Sequence, residues 1–228
     1  MVAAIIPAAG ASRRMGTGSN KIFLELAGES ILLRTLKTFS KSARIKFLIV
    51  VVGAGEVETV TEILSAEKTL KPWAVTAGGS ERQYSIANGL KILPSEAEII
   101  LVHDAARPLV DLQTIDAVIE AAEKFGGAIA AVPEKNTIKF VDAAGFVRST
   151  PPRAELVEVQ TPQGFQREIL LRAYAQAAAD NFLGTDDASL VERIGGQIKI
   201  VASSYRNIKV TTPEDIAIAE SFLRGGNS

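Results

Sequence analysis

A short apolar run, Val2–Ile6, opens into Pro7-Ala8-Ala9-Gly10-Ala11-Ser12-Arg13-Arg14-Met15-Gly16, and Lys21 follows five residues later. Small residues after a strand let backbone N–H groups come close to phosphate oxygens, since little side chain stands in the way. Arg14 and Lys21 add charge-assisted donors to the same loop, which suits a polyanion. A glycine-rich turn with surface arginines is the plain alternative; it accounts for the small residues but not for the cations gathered beside them. The loop has neither the Gly-Lys-Ser/Thr of a P-loop nor the G-x-G-x-x-G of a dinucleotide fold.

A second glycine pair begins Gly78-Gly79-Ser80-Glu81-Arg82-Gln83-Tyr84-Ser85. Ser80 and Gln83 have the spacing of a capping box, and the glycine amides are suited to a base or ribose, with Ser85 further into the helix. Both uses can coexist. The run Leu101-Val102-His103-Asp104-Ala105-Ala106-Arg107-Pro108 ends a buried strand in polar residues. Ligands of open α/β sheets sit at the carboxyl ends of strands, so Asp104 is a candidate site residue. It could instead cap the helix after Pro108. His103 reads as a hydrogen-bonded structural histidine rather than a base.

The second half contributes Arg153, Gln160-Thr161-Pro162-Gln163, Thr185-Asp186-Asp187 and Asn207-Ile208-Lys209-Val210-Thr211-Thr212-Pro213-Glu214-Asp215. Thr212 and Pro213 form a strong helix start, and Thr185 or Asp186 could cap a helix over 187–194. Lys209 differs from these, because a lysine in a short apolar strand needs solvent or an anionic partner.

Composition narrows the chemistry. The 228 residues contain no cysteine and one histidine, which excludes disulfides, thiolate metal sites, a cysteine nucleophile and any multi-histidine metal centre. With 25 Lys+Arg against 26 Asp+Glu there is no basic field for nucleic acid and no polybasic membrane anchor. No apolar run approaches the roughly 20 residues of a spanning helix. The opening MVAAIIPAAG lacks a basic segment followed by a long apolar one, so a cytoplasmic setting is expected.

Strands are expected at Val2–Ile6, Ile45–Val52, Trp73–Thr76, Ile99–Val102, Ala128–Val132, Ile198–Val201 and Ile208–Val210. Helical periodicity occupies Ile31–Phe39, Val57–Leu64, Ser80–Leu90, Gln113–Lys124, Gln166–Ala179 and Pro213–Phe222. The alternation predicts an α/β fold, a Rossmann-like, mostly parallel sheet flanked by helices. It breaks over residues 133–160, where Ile138–Val141 and Phe146–Val147 flank the turn Asp142-Ala143-Ala144-Gly145 before Pro151-Pro152. That segment reads as a protruding β-arm inserted in a single domain, 1–228. Its alternating apolar residues call for a partner subunit.

Taken in order, PAAG-x-x-x-R-M with Lys21, GG-x-x-R-x-x-S, HDAARP, TPQ, TDDAS and NIKVTTPED resemble the 2-C-methyl-D-erythritol 4-phosphate cytidylyltransferases over nearly the whole chain. The first motif is shared by many sugar nucleotidyltransferases; HDAARP with TPQ and NIKVT is far more specific. The resemblance implies transfer of CMP from CTP to the sugar-alcohol phosphate with release of pyrophosphate, and a need for Mg2+ held largely by the CTP phosphates, with no direct metal ligand assigned. It implies that Ala8, Ala9 and Gly10 wrap the nucleotide, that Arg14 and Lys21 contact its phosphates, and that Gly79 and Ser85 bind the cytidine part. Asp104, Arg107, Thr137, Arg153, Thr161, Thr185 and Lys209 match positions around the methylerythritol phosphate or the reacting phosphate. Arg14, Lys21, Asp104 and Lys209 form the expected catalytic set. The arm of such enzymes dimerises, which would carry Thr137 and Arg153 to the neighbouring subunit's site.

Three positions depart from the usual pattern: Ser12 where glycine is common, Ile22 where glutamine often follows the lysine, and Asn136 where aspartate is frequent. None removes a charged candidate. A ribitol-5-phosphate cytidylyltransferase is the nearest alternative, but its relatives tend to carry AGG and DAVRP where this chain has PAAG and DAARP. A catalytically silent nucleotide-binding protein would not need Arg14, Lys21, Asp104 and Lys209 together.

Overall fold

The computed structural model describes residues 1–10 and 20–225. In chain order these form β1 (Val2–Pro7), β2 (Glu25–Leu26), β3 (Glu29–Ser30), α1 (Ile31–Lys41), β4 (Ile45–Val52), α2 (Val57–Ala66), β5 (Trp73–Ala77), α3 (Arg82–Lys91), β6 (Ile99–Val102) and α4 (Leu112–Phe125). Then follow β7 (Gly127–Pro133), β8 (Phe140–Val141), β9 (Val147–Ser149), β10 (Val157–Gln166), α5 (Arg167–Ala179), α6 (Asp187–Arg193), β11 (Lys199–Ala202) and α7 (Pro213–Gly225).

Seven strands make one sheet in the order β11-β7-β10-β6-β1-β4-β5. Six run parallel, and β10 lies antiparallel between β6 and β7. Both faces are covered, as the apolar strands require. Alternate residues of β1 show how: Ala4 and Ile6 face α1, α2 and α4, while Ala3 and Ile5 face α3, α5 and α6. A smaller apolar cluster, Leu26, Ile31, Val210 and Ala219, seats α7 against the β2–β3 turn.

Strand β10 was not expected from the sequence. In Gln160-Thr161-Pro162-Gln163-Gly164 only Thr161 is β-branched, and Pro162 and Gly164 argue against a central strand. Its burial comes from tertiary contact, since a Cβ at Gly164 would stand 2.8 Å from Leu101 and 2.9 Å from Val118. Conversely, the expected strand Ile208–Val210 has no ladder; Ile208 and Val210 pack into the α7 cluster instead. Between β7 and β10 lies the two-stranded β8–β9 hairpin, closed by Asp142, whose Oδ1 accepts from the amides of Ala144 and Phe146. Every residue from Lys135 to Thr150 is exposed.

Candidate active site

The carboxyl ends of β1 and β6 open onto a cavity of about 620 Å³. Its lining brings together eight of the residues expected from the sequence: Ala8, Ala9, Gly10, Lys21, Gly79, Ser85, Asp104 and Lys209. They come from separate parts of the chain, and each is placed by its own local structure. Arg14, with Ser12, lies outside the described residues.

The loop after β1 is held by Asn20, whose Nδ2 donates to the Ala8 carbonyl at 2.9 Å and to Glu56 Oε2 at 3.1 Å. Asn20 also caps the 3₁₀ turn Lys21–Phe23, which puts Lys21 on the cavity wall and buries Ile22 in the core. Burial is the physical reason that an apolar residue is at home after the lysine.

Gly78 and Gly79 lead into α3, yet the expected capping box between Ser80 and Gln83 does not form. The helix begins at Arg82 after Glu81, without a side-chain cap. Ser85 Oγ takes over part of that work, accepting from the Gly79 amide at 3.1 Å and donating to the Glu81 carbonyl at 3.0 Å. Gln83 turns the other way. Its Nε2 donates to the Phe182 carbonyl, and its Oε1 accepts from the Gly184 amide.

Asp104 is not a helix cap, because Asp111 caps α4 through the Thr114 amide. Its carboxylate is held between two cations, with Arg82 Nε 3.0 Å from Oδ1 and Lys209 Nζ 2.6 Å from Oδ2. Burial acts to raise the Asp104 carboxyl, but Arg82, Lys209 and Arg107 outweigh it and hold the group well below the usual carboxylate range. The anionic partner that Lys209 called for is therefore Asp104. Sequence reasoning passed over Arg82, although it stands inside GG-x-x-R-x-x-S. It lines the cavity and also donates to the buried Asp187 at 2.8 Å.

Thr161, on β10, does not line the cavity but supports it. Its Oγ1 accepts from the Asp104 amide at 3.1 Å and donates to His103 Nδ1 at 3.1 Å. The other ring nitrogen, Nε2, donates to the Arg107 carbonyl at 3.1 Å. His103 is thus the structural histidine expected, fully buried and packed on Phe39 with ring centroids 4.7 Å apart. Burial pushes its imidazolium down to about 4, against the opposing hydrogen bond to Arg107. Arg107 itself is tied to the Asn207 carbonyl at 2.7 Å rather than set on the cavity wall.

Thr185 is exposed beside α6, which Asp186 caps through the Ser189 amide. Thr137 and Arg153 are exposed between β7 and β10, and Arg153 donates to the Lys135 carbonyl. None of the three lines this cavity. The cavity carboxylates are Glu81 and Asp104, and among the described residues no group of three or more His, Cys, Asp or Glu could hold a metal ion. No helix among the described residues is long and apolar enough to cross a membrane.

Small loops at strand ends, cations around a carboxylate and a histidine held by hydrogen bonds at both ring nitrogens suit binding and electrophilic activation of a phosphate chain. The comparisons agree. The family model for 2-C-methyl-D-erythritol 4-phosphate cytidylyltransferase (IspD) matches residues 2–225. Proteins of that name from Caldanaerobacter subterraneus and Bacillus cereus are 44% and 48% identical, over 98% of this chain and 99% and 98% of theirs. The crystal structure of 4-diphosphocytidyl-2C-methyl-D-erythritol synthase from Anaerococcus prevotii superposes with a TM-score of 0.88 at 32% identity, covering 98% of this chain and 96% of that one. The Thermus thermophilus cytidylyltransferase gives 0.79 at 31% identity, covering 97% and 98%. On the combined weight of the site and these matches, the chain belongs to the 2-C-methyl-D-erythritol 4-phosphate cytidylyltransferase family.

Proposed function

We propose that this protein transfers CMP from CTP to 2-C-methyl-D-erythritol 4-phosphate, giving 4-diphosphocytidyl-2-C-methyl-D-erythritol and pyrophosphate. The observation that carries the reading is the shared cavity wall of Ala8, Ala9, Gly10, Lys21, Gly79, Ser85, Asp104 and Lys209. A phosphate oxygen of the sugar-alcohol phosphate attacks the α-phosphorus of CTP. The bond from that phosphorus to the oxygen bridging to the β-phosphate breaks, and pyrophosphate leaves with the electron pair.

The nucleophile is already anionic at neutral pH, so no general base is required. This suits a site whose nearest histidine is buried and fully hydrogen-bonded. What the residues supply is placement and cancellation of negative charge. In this reading Ala8, Ala9 and Gly10 wrap the nucleotide, with Gly79 and Ser85 on the cytidine. Lys21, together with Arg14, meets the phosphates. Lys209, paired to Asp104, meets the incoming phosphate, and Arg107, Thr161 and Thr185 shape its surroundings.

Both oxygens of Asp104 are already on cations, so the lining fits a divalent ion that arrives on the triphosphate better than one caged by protein. Mg2+ bound in that way would add further charge neutralisation. The exposed apolar residues of the β8–β9 hairpin support a homodimer formed through residues 133–160, with Thr137 and Arg153 serving the neighbouring site. The enzyme acts in the cytoplasm.

The test is pyrophosphate release from CTP and Mg2+ with methylerythritol 4-phosphate and, separately, ribitol 5-phosphate. Release with the first alone is expected. Release with ribitol phosphate would keep the chemistry and change the substrate. Silence with both, from folded protein that binds CTP, would overturn the reading.

A further inference from the structure

Two ionisable side chains sit behind the cavity wall and take no part in its lining. Asp187, in the first turn of α6, is 1% exposed, and Tyr174, on α5, is 8% exposed. Tyr174 Oη donates to Asp187 Oδ1 at 2.5 Å. Asp187 Oδ2 accepts from Arg82 Nη1 at 2.8 Å. From there the chain continues through Arg82 Nε to Asp104 Oδ1 and from Asp104 Oδ2 to Lys209. Charge alternates along it: minus on Asp187, plus on Arg82, minus on Asp104, plus on Lys209.

A buried carboxylate is costly unless it is paired and hydrogen-bonded, so Asp187 would be a poor choice for packing alone. Its position is also fixed from several sides. Gln163 donates to Asp186 and accepts from the Ala188 amide, while Gln83 grips Phe182 and Gly184 just upstream. Burial and the neighbouring Asp187 both push the Tyr174 phenol up, so it remains a donor. Asp187 is therefore a fixed anchor, and Arg82 must span the gap between it and Asp104.

A guanidinium released from such an anchor can turn both edges onto one carboxylate and form a two-point pair. Arg82 would then compete for the Asp104 oxygen that now holds Lys209. We infer that Asp187 and Tyr174 are positioning residues for the transfer reaction, keeping Arg82 shared between two carboxylates so that Asp104 Oδ2 is left to place Lys209. The inference rests on the reaction proposed above.

The experiment compares Asp187→Asn, Tyr174→Phe and the double variant with the parental enzyme in pyrophosphate release, with CTP binding and thermal melting measured in parallel. Asp187→Asn is expected to lower kcat by about 10- to 100-fold, the scale of a misplaced reacting group. Tyr174→Phe should lower it by a few-fold, and the double variant should be no worse than Asp187→Asn, because both act through one chain. CTP affinity should stay within about twofold, since neither residue touches the cavity. Parental kcat with a lowered melting temperature would make both residues merely structural and overturn the inference. If Asp187→Asn does not fold, Tyr174→Phe decides on the same criterion, as its ring still fills the core. Silence of the parental enzyme with both polyol phosphates would instead overturn the reaction on which the inference stands.

Discussion

Lys209 Nζ lies 2.6 Å from Asp104 Oδ2, closer than Arg82 on the other oxygen. An aspartate so engaged stays ionised and has no lone oxygen to act as a base. The acid limb of the pH–rate profile should therefore belong to the substrate, whose phosphate monoester dianion takes up its first proton at about pH 6. Asp104→Asn frees two cations from their partner and is expected to lower kcat by on the order of 100-fold while leaving that limb in place. Rate profiles of the parent and the variant check this. A limb that vanishes with Asp104 would return it to acid–base chemistry.

Lys21 reaches the cavity from a short turn that Asn20 caps and Ile22 buries. Lys21→Ala leaves Ile22 and the cap untouched, so the protein should fold normally. Its kcat should fall by about 100-fold or more, the cost of losing one preorganised donor to developing charge. Wild-type turnover by the folded variant would remove Lys21 from the catalytic set.

The strand–helix alternation was readable because parallel strands buried on both faces are near-continuous apolar runs, as Phe47–Val52 is. Strand β10 was not readable, because Pro162, Gln163 and Gly164 serve close packing and hydrogen bonding rather than strand propensity. The same reason hid the use of Gln83 and Asp187. Their partners, Phe182, Gly184, Tyr174 and Arg82, are distant in sequence or face another element, and no local spacing announces them. Motif order brought Asp104 and Lys209 to attention, yet only the fold joins them across about a hundred residues. Thr161 was legible as a motif residue, but its role under Asp104 depends on the antiparallel course of β10.

The hairpin presents Phe140, Val141, Phe146 and Val147 at 57–73% exposure, an unusual density of large apolar side chains for a free surface. If this is the dimer contact, Phe146→Asp should weaken association by about 1–3 kcal/mol or more, as for a truncated anchor residue. Sedimentation at micromolar protein should then show monomer where the parent is dimeric. Because no hairpin side chain enters the α/β core, the far-UV spectrum should not change. A parental monomer would dispose of the dimer outright.

Gly78 and Gly10 face different surroundings. A Cβ at Gly78 would stand 2.5 Å from Ala9 Cβ and 2.7 Å from Ser85 Oγ, so the first loop and α3 would have to separate. Gly78→Ala is expected to cost about 1–3 kcal/mol, as overpacking does, and to raise KM for CTP. Gly10 has nothing within 4 Å of such a Cβ among the described residues, so Gly10→Ala should stay within about 0.5 kcal/mol of the parent. Denaturant titration of the two variants separates crowding from a general intolerance of alanine.

His103 makes the fold sensitive to acid in a window of its own. Both ring nitrogens are used by the neutral form, Nε2 donating to Arg107 and Nδ1 accepting from Thr161. Burial lowers the folded value to about 4 from an ordinary 6.5. Between those limits the unfolded chain binds the extra proton, so stability falls as pH drops from 6.5 to 4, by about 3 kcal/mol in total. Asp104 acts lower, because its stabilising charge is present above the ordinary carboxylate range and is lost only beneath it. His103→Gln should cost about 1–3 kcal/mol at neutral pH through lost packing on Phe39, yet remove the one-proton slope between pH 6.5 and 4. Urea titrations at several pH values measure both effects. A variant that keeps the parental slope in that window would assign the acid sensitivity to carboxylates instead.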